Sequence, residues 1–267
     1  MKTLSRAYMW VVFALLYAPI LILVVFSFNK GGTLSAFTGV SFRWYGELFR
    51  DEVALQSLKN SLFLALSSSA IATVIGTFAA LGLDRMKSRL LKGAINSITN
   101  IPMMNPDIVT GVSMMLLFVA LGGALGLSDV LGRWTMLIAH VTFILPYVIL
   151  SVLPRFRQFD NSLREAALDL GCTPVGSFFR VELPAILPGV ISGFVMGFTL
   201  SLDDFVISHF VSSPDFQTLP LYIYNQTAHA VKYSMYALCT LIIVTILVLV
   251  LAVNFAGSLG KKKEGAK

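Results

Sequence analysis

Long apolar runs, not alternation, dominate the hydrophobic pattern of this 267-residue chain. A helix crosses the hydrocarbon of a bilayer with about 20 mostly apolar residues. Six stretches have that length and character: about 8–28, 60–82, 95–121, 134–154, 186–211 and 235–257. They predict six transmembrane helices, so the chain reads as an all-α membrane protein forming one transmembrane domain over 1–267. The first run, behind Lys2 and Arg6, superficially looks like a secretory signal. It is long enough to span, lacks an A-x-A site near its end and is followed by five more runs, so it is expected to remain as an anchor.

Two polar segments between the runs carry patterns of their own. Segment 29–59 opens with the turn-forming Asn29-Lys30-Gly31-Gly32, then sets Phe42, Trp44, Tyr45, Leu48 and Phe49 at near-helical spacing among charges. That predicts a short helix in the outer headgroup layer, with a loop docked on the bundle as the alternative. In the longest inner segment, about 155–184, Leu163, Ala166, Ala167 and Leu170 recur at i, i+3, i+4 and i+7 and make one apolar face on a short helix. Gly171 supplies the backbone freedom that ends such a helix. Pro174 suits the first turn of a second one, expected to run to the breaker at Pro184. The result is a helix–turn–helix.

Composition places the chain in lipid. Hydrophobic residues make up 56%, charged residues only 13%, and mean hydropathy is +0.80. The net charge of +6 comes from short basic clusters between the runs, a distribution that speaks for membrane orientation and against a nucleic-acid partner. With the N-terminus inside, the cytoplasm receives Lys2, Arg6, Arg85, Lys87, Arg89, Lys92, Arg155, Arg157, Arg164, Arg180, Lys261, Lys262, Lys263 and Lys267, which is 14 of the 20 Lys and Arg. Both termini are therefore expected to be cytoplasmic. Cys172 and Cys239 fall in a loop and a helix, and His140, His209 and His229 show no metal-ligand spacing, so no disulfide, metal or cofactor is expected. The chain has no G-x-x-x-x-G-K-[ST] phosphate loop, since Gly257-Ser258-Leu259-Gly260-Lys261-Lys262 has the wrong spacing. Any ATP is expected to be bound by another subunit, and this chain is expected not to be an enzyme.

Charged side chains inside spans are costly, and each proposes a function. The candidates are Asp107, Asp203 and Asp204, with no Lys or Arg in their spans. Asp107 follows Asn105-Pro106 in a stretch whose prolines should kink or unwind the third helix, so it either caps the restarted helix or attracts a cation. Adjacent Asp203 and Asp204 point about 100° apart on a helix, so one is expected to face a cavity and the other to pair with a polar neighbour. Carboxylates without opposing cations suit a cationic solute better than an oxyanion. Trp134, Phe143, Tyr147, Tyr222 and Tyr224 could add cation–π faces, or could simply pack.

Glu165-Ala166-Ala167, then Gly171, then Leu183-Pro184, before the penultimate run, resemble the EAA loop of binding-protein-dependent ABC importer permeases of the type I fold. Asn105-Pro106-Asp107-Ile108-Val109, Phe198-Thr199-Leu200-Ser201-Leu202-Asp203-Asp204 and Leu219-Pro220-Leu221-Tyr222-Ile223-Tyr224 look like the spermidine/putrescine branch of that family. The resemblance implies a type I permease bundle in a bacterial inner membrane, with cytoplasmic coupling helices around Glu165, Ala166, Ala167, Gly171, Leu183 and Pro184. It also implies a second permease subunit, two copies of a cytoplasmic ATPase subunit and an external polyamine-binding protein. The rival readings are a permease of the same superfamily for another solute and an ion-coupled secondary carrier.

Overall fold

The computed structural model of the chain describes residues 2–31, 36–127, 129–227, 232–245 and 247. Among these every regular element is helical, and the chain forms two compact units.

The first unit comprises Met1–Leu55 and Ile223–Lys267. Its α1 (Lys2–Ser27) leaves Tyr8, Trp10, Leu15, Leu16 and Leu21 exposed, as a helix does when its surroundings are lipid or another chain. The expected short helix is α2 (Arg43–Leu48), but its aromatics do not all lie on one surface. Trp44 and Leu48 are buried, while Phe42 and Phe49 are exposed. Hydrogen bonding explains the difference. Trp44 Nε1 donates to the Asn29 carbonyl at 2.6 Å, and the Ser27 and Tyr45 hydroxyls meet at 2.9 Å, so α2 is tied to the end of α1. The Asn29 side chain braces the turn by accepting from the Thr38 amide at 2.9 Å and donating to the Ala36 carbonyl at 2.9 Å. A last apolar helix, α12 (Ser234–Thr245), follows α11 (Leu219–Thr227); the rest of the expected sixth span, and His229, lie outside the described residues.

The second unit, Gln56–Tyr222, holds the main core. Four helical stretches reaching into it are long and apolar enough to cross a membrane. They are α3 (Glu52–Arg85), α5 (Asp107–Ala124), α6 (Arg133–Gln158) and the stretch Pro174–Asp203 that ends in α9 (Leu183–Asp203). The third expected span is interrupted where its prolines were expected to disturb it: the chain breaks at Asn105-Pro106, leaving α4 (Arg89–Met104) as a separate helix. Pro106 offers no amide to α4 and holds Asn105 extended, at ψ 143°, so one run of apolar residues becomes two helices. The fifth span breaks likewise, at Asp204, before α10 (Val206–Val211).

Contact between α6 and α9 depends on glycine. Gly189, Gly193 and Gly197 recur every four residues on α9, and a Cβ on each would meet α6 at Arg155 and Ser151, at Val148 and Ser151, and at Ile144. Small residues let membrane helices approach to backbone contact, where dispersion replaces a hydrophobic force that lipid cannot supply. Gly111 does the same for α5 against Ile207 and Phe210 of α10.

The segment between α6 and α9 folds as a helical hairpin. Asp160 caps α7 (Asn161–Asp169) by accepting from the Ser162 amide at 2.9 Å, and that bond holds its carboxyl below the usual carboxylate range. The cap is therefore in place at neutral pH and is lost only as pH falls through that lowered value. Gly171, at φ +87°, ends α7 in a Schellman motif: the Cys172 amide reaches the Ala167 carbonyl at 3.0 Å and the Gly171 amide reaches Leu168 at 2.9 Å. Thr173 then caps α8 (Pro174–Ser177). Pro184 does not end this helix as expected. A π-helical turn over Phe178–Glu182 widens the ladder, with the Leu183 amide reaching Phe178, and the helix runs through Pro184 into α9. Arg85 at the end of α3 clamps Glu182 in that turn at 2.7 Å to each carboxylate oxygen, and the Phe78 and Phe178 rings stack beside it.

Two stability predictions follow from these contacts, both read as thermal unfolding of the purified protein in detergent. Gly197→Ala should be the most damaging of the three α9 glycine changes, costing about 1–3 kcal/mol, because its methyl meets the wholly buried Ile144. Gly193→Ala, with contacts of 3.3–3.4 Å, should be the mildest, and Ile144→Ala should relieve Gly197→Ala. Arg85→Gln should strand the buried Glu182 carboxylate, at the lower end of roughly 3–5 kcal/mol, and adding Glu182→Gln should recover much of that loss.

Candidate functional site

Both breaks in the apolar helices carry a carboxylate. At the first, Asp107 opens α5 directly behind Pro106, whose lack of a side-chain donor or acceptor leaves the cap unmade. The carboxylate is exposed at the positive end of the helix dipole, within electrostatic reach of Tyr147 on α6. The expected cap by Asp107 is corrected: from the first turn it complements the dipole without capping, and its carboxylate is exposed.

At the second break the adjacent aspartates part company. Asp203, the last residue of α9, is exposed. Asp204 is buried, and its two oxygens accept from the Ile207 amide at 3.2 Å and the Ser208 amide at 2.8 Å, which start α10. It is thereby a helix cap in all but label, since its backbone is extended (φ −66°, ψ 120°) and the chain turns helical again just beyond it. Of the two neighbours it is Asp204 that pairs with polar groups of its own chain, while Asp203 is the one exposed. His140 of α6 lies alongside, 3.5 Å from Asp204 Oδ2.

The two tyrosines on α11 also separate. Tyr222 is 3% exposed, so its ring packs within the chain and offers no face to a passing solute, while Tyr224 is 48% exposed. At the other end of α3, Asn60 and Ser61 anchor the segment ahead of α11 through the Gln217 carbonyl at 3.0 Å and the Leu219 amide at 2.7 Å. Arg133, at the start of α6, lies 4.0 Å over the Phe63 ring and 5.8 Å from that of Phe216. It joins α3, α6 and that segment by a cation–π contact that no spacing in the sequence announces.

On the hairpin, Ala167 is buried but Leu163, Ala166 and Leu170 stay exposed, Leu170 at 87%. The apolar face foreseen for α7 is real and most of it is uncovered by its own chain. Glu165 and Gly171 are exposed beside it, and Leu183 and Pro184 lie in the first turn of α9. The Arg85–Glu182 clamp that fixes the hairpin to α3 was not foreseen. Its partners are separated by 97 residues, and only the meeting of two helix ends reveals the pair.

This geometry has close counterparts among known proteins. The chain is 42% identical over 231 residues to the putrescine transport system permease protein PotI of Escherichia coli (strain K12), covering 86% of this chain and 82% of that protein. It is 41% identical over 247 residues to the spermidine/putrescine transport system permease protein PotC of Haemophilus influenzae, covering 92% and 93%. A bacterial ABC transporter involved in the import of the acidic polysaccharide alginate has a chain of the same fold, with a TM-score of 0.72 at 13% identity over 96% of this chain and 95% of that one. Residues 72–259, most of the chain, match a single family profile, and the protein belongs to the binding-protein-dependent transport system inner membrane components.

Proposed function

We propose that this chain is the permease subunit of an ATP-driven polyamine importer, in which Asp107 and Asp203 attract the cationic solute. The observation that carries the reading is the pair of exposed carboxylates at the two helix breaks. No Lys or Arg occurs from Asp107 to Ala124 or from Leu183 to Asp203 to neutralise them. An exposed charge on a membrane span is held against lipid at a cost of several kcal/mol, so each carboxylate faces water or a partner chain. A polyamine is an apolar chain bearing ammonium groups. Carboxylates satisfy its charges, and Tyr147 offers a ring face for its stem. The named activities of PotI and PotC support that choice of solute.

In this reading the pathway forms between this chain and a second permease subunit, an external binding protein delivers the solute, and two copies of an ATPase subunit work from the cytoplasm. The chain itself hydrolyses nothing. The N-terminus, the hairpin and the C-terminus are cytoplasmic, as the basic clusters require. The uncovered Leu163, Ala166 and Leu170 face of α7 fits a groove on the ATPase subunit, with Glu165 and Gly171 beside it. Closure of the ATPase pair would then move α7 and α8 together, and the Arg85–Glu182 clamp would carry that displacement into α3 and α9. The solute sees alternating access because the ATP-bound pair favours one arrangement of the bundle.

Two experiments on the complex reconstituted in proteoliposomes test the two halves of this reading. Asp203→Asn and Asp107→Asn keep volume and hydrogen bonding but remove charge. At least one should lower spermidine uptake about tenfold or more, equivalent to ~1.4 kcal/mol, with normal assembly. Parental uptake by both would refute the carboxylate pathway. Gly171→Pro or Glu165→Lys should leave membrane insertion intact and uncouple ATP hydrolysis from uptake, whereas normal coupling in both variants would sink the docking assignment.

A further inference from the structure

Four helices meet at one buried imidazole. His140 on α6 is wholly buried, with Nδ1 2.8 Å from the Ser201 hydroxyl of α9 and Nε2 3.2 Å from the Ser208 hydroxyl of α10. The same Nε2 lies 3.5 Å from Asp204 Oδ2, and Ser68 of α3 donates to Ser201 at 3.1 Å. One arrangement satisfies both ring nitrogens. Ser201 accepts from Ser68 and gives its own proton to Nδ1, which leaves the ring proton on Nε2, towards Ser208 and Asp204. The imidazole is then a neutral strut with one nitrogen on each half of the broken fifth span.

The strut suits a broken helix better than a straight one. Ser201 and Ser208 are seven residues apart, about 10.5 Å along a straight helix. Bonds of 2.8 and 3.2 Å on either side of one ring hold their hydroxyls within about 8 Å of each other. The bend that Asp204 caps brings the two hydroxyls within that reach without drawing either side chain along the axis. An apolar span otherwise favours the continuous ladder, because each backbone group released in the membrane interior needs a replacement partner.

We infer that His140 is the positioning residue that keeps the fifth span broken at Asp204 and so keeps the Asp203 carboxylate turned outward to the solute. The consequence for the solute rests on the reading of Asp203 as a pathway residue; the consequence for the backbone does not. Loss of the imidazole frees Ser201 from Ser208, lets the ladder close across Asp204-Phe205, and rotates position 203 away from its present face.

The test uses the assembled transporter with Cys172 and Cys239 replaced by Ser and Asp203→Cys introduced. Labelling by the cationic thiol reagent methanethiosulfonate ethyltrimethylammonium reports where position 203 faces. His140→Ala should slow that labelling about tenfold. In the chain that keeps Asp203, it should raise the KM for spermidine by a similar factor with the amount of assembled complex unchanged. His140→Gln, which still carries a donor and an acceptor, should recover part of both effects. If His140→Ala does not assemble, Ser201→Ala combined with Ser208→Ala removes the same two bonds with the ring in place and should give the same result. Parental labelling and KM in the variants that assemble would overturn the inference. Slowed labelling alongside Asp203→Asn transporting like the parent would support the positioning role and refute the pathway reading alone.

Discussion

A backbone break inside a membrane span leaves amides and carbonyls that hydrocarbon cannot satisfy, and this constraint organises the rest of the molecule. The two breaks meet it differently. At Asn105-Pro106 the proline contributes no amide, and the new helix starts with Asp107 at its positive end. At Asp204 a buried carboxylate takes the amides of Ile207 and Ser208, and the imidazole of His140 braces the neighbouring turns. Each solution places negative charge at a point where the helix is already interrupted. Exposed negative charge and the means of holding open the backbone are thus drawn from the same few residues.

The close approach of α9 to α6 is a second consequence of working in lipid. Apolar surface gains little by leaving hydrocarbon for a protein interior, so association depends on contact distance. The stripe of Gly189, Gly193 and Gly197 supplies it, and Ile144, Val148 and Ser151 fill the space that side chains would have taken. At the inner end of the same helix the Arg85–Glu182 pair and the Phe78–Phe178 stack join α3 to the hairpin. The hairpin is therefore bonded to α3 and continuous with α9.

Much of this could be read from residue order, because the deciding signals were local. The apolar runs marked the spans, and Gly171 followed by Pro174 marked the turn between α7 and α8, down to the left-handed glycine. The Asp203-Asp204 pair could be seen to diverge, since that follows from helical geometry alone. Which of them turns inward depends on His140, more than 60 residues away in sequence and invisible to any window. The prolines announce the break in the third run, but the break in the fifth is blurred for a related reason. Hydropathy averages over about 20 residues and does not register one extended residue among them. Pro184 suggests a helix end, but the five-residue π turn over Phe178–Glu182 lets the helix pass it. The glycine stripe was legible at its four-residue spacing but was not drawn on.

That π turn has a consequence for how the hairpin is aimed. Over Phe178–Glu182 the chain holds one residue more than an α-helix would need for the same hydrogen-bonded turn. Each residue of a helix advances the direction of everything before it by about 100°. The compass bearing of the Leu163, Ala166 and Leu170 face relative to α9 is accordingly written in a residue count, not in any side chain. Shortening the segment by one residue would leave composition and hydrophobicity almost untouched and swing that face by more than a quarter turn.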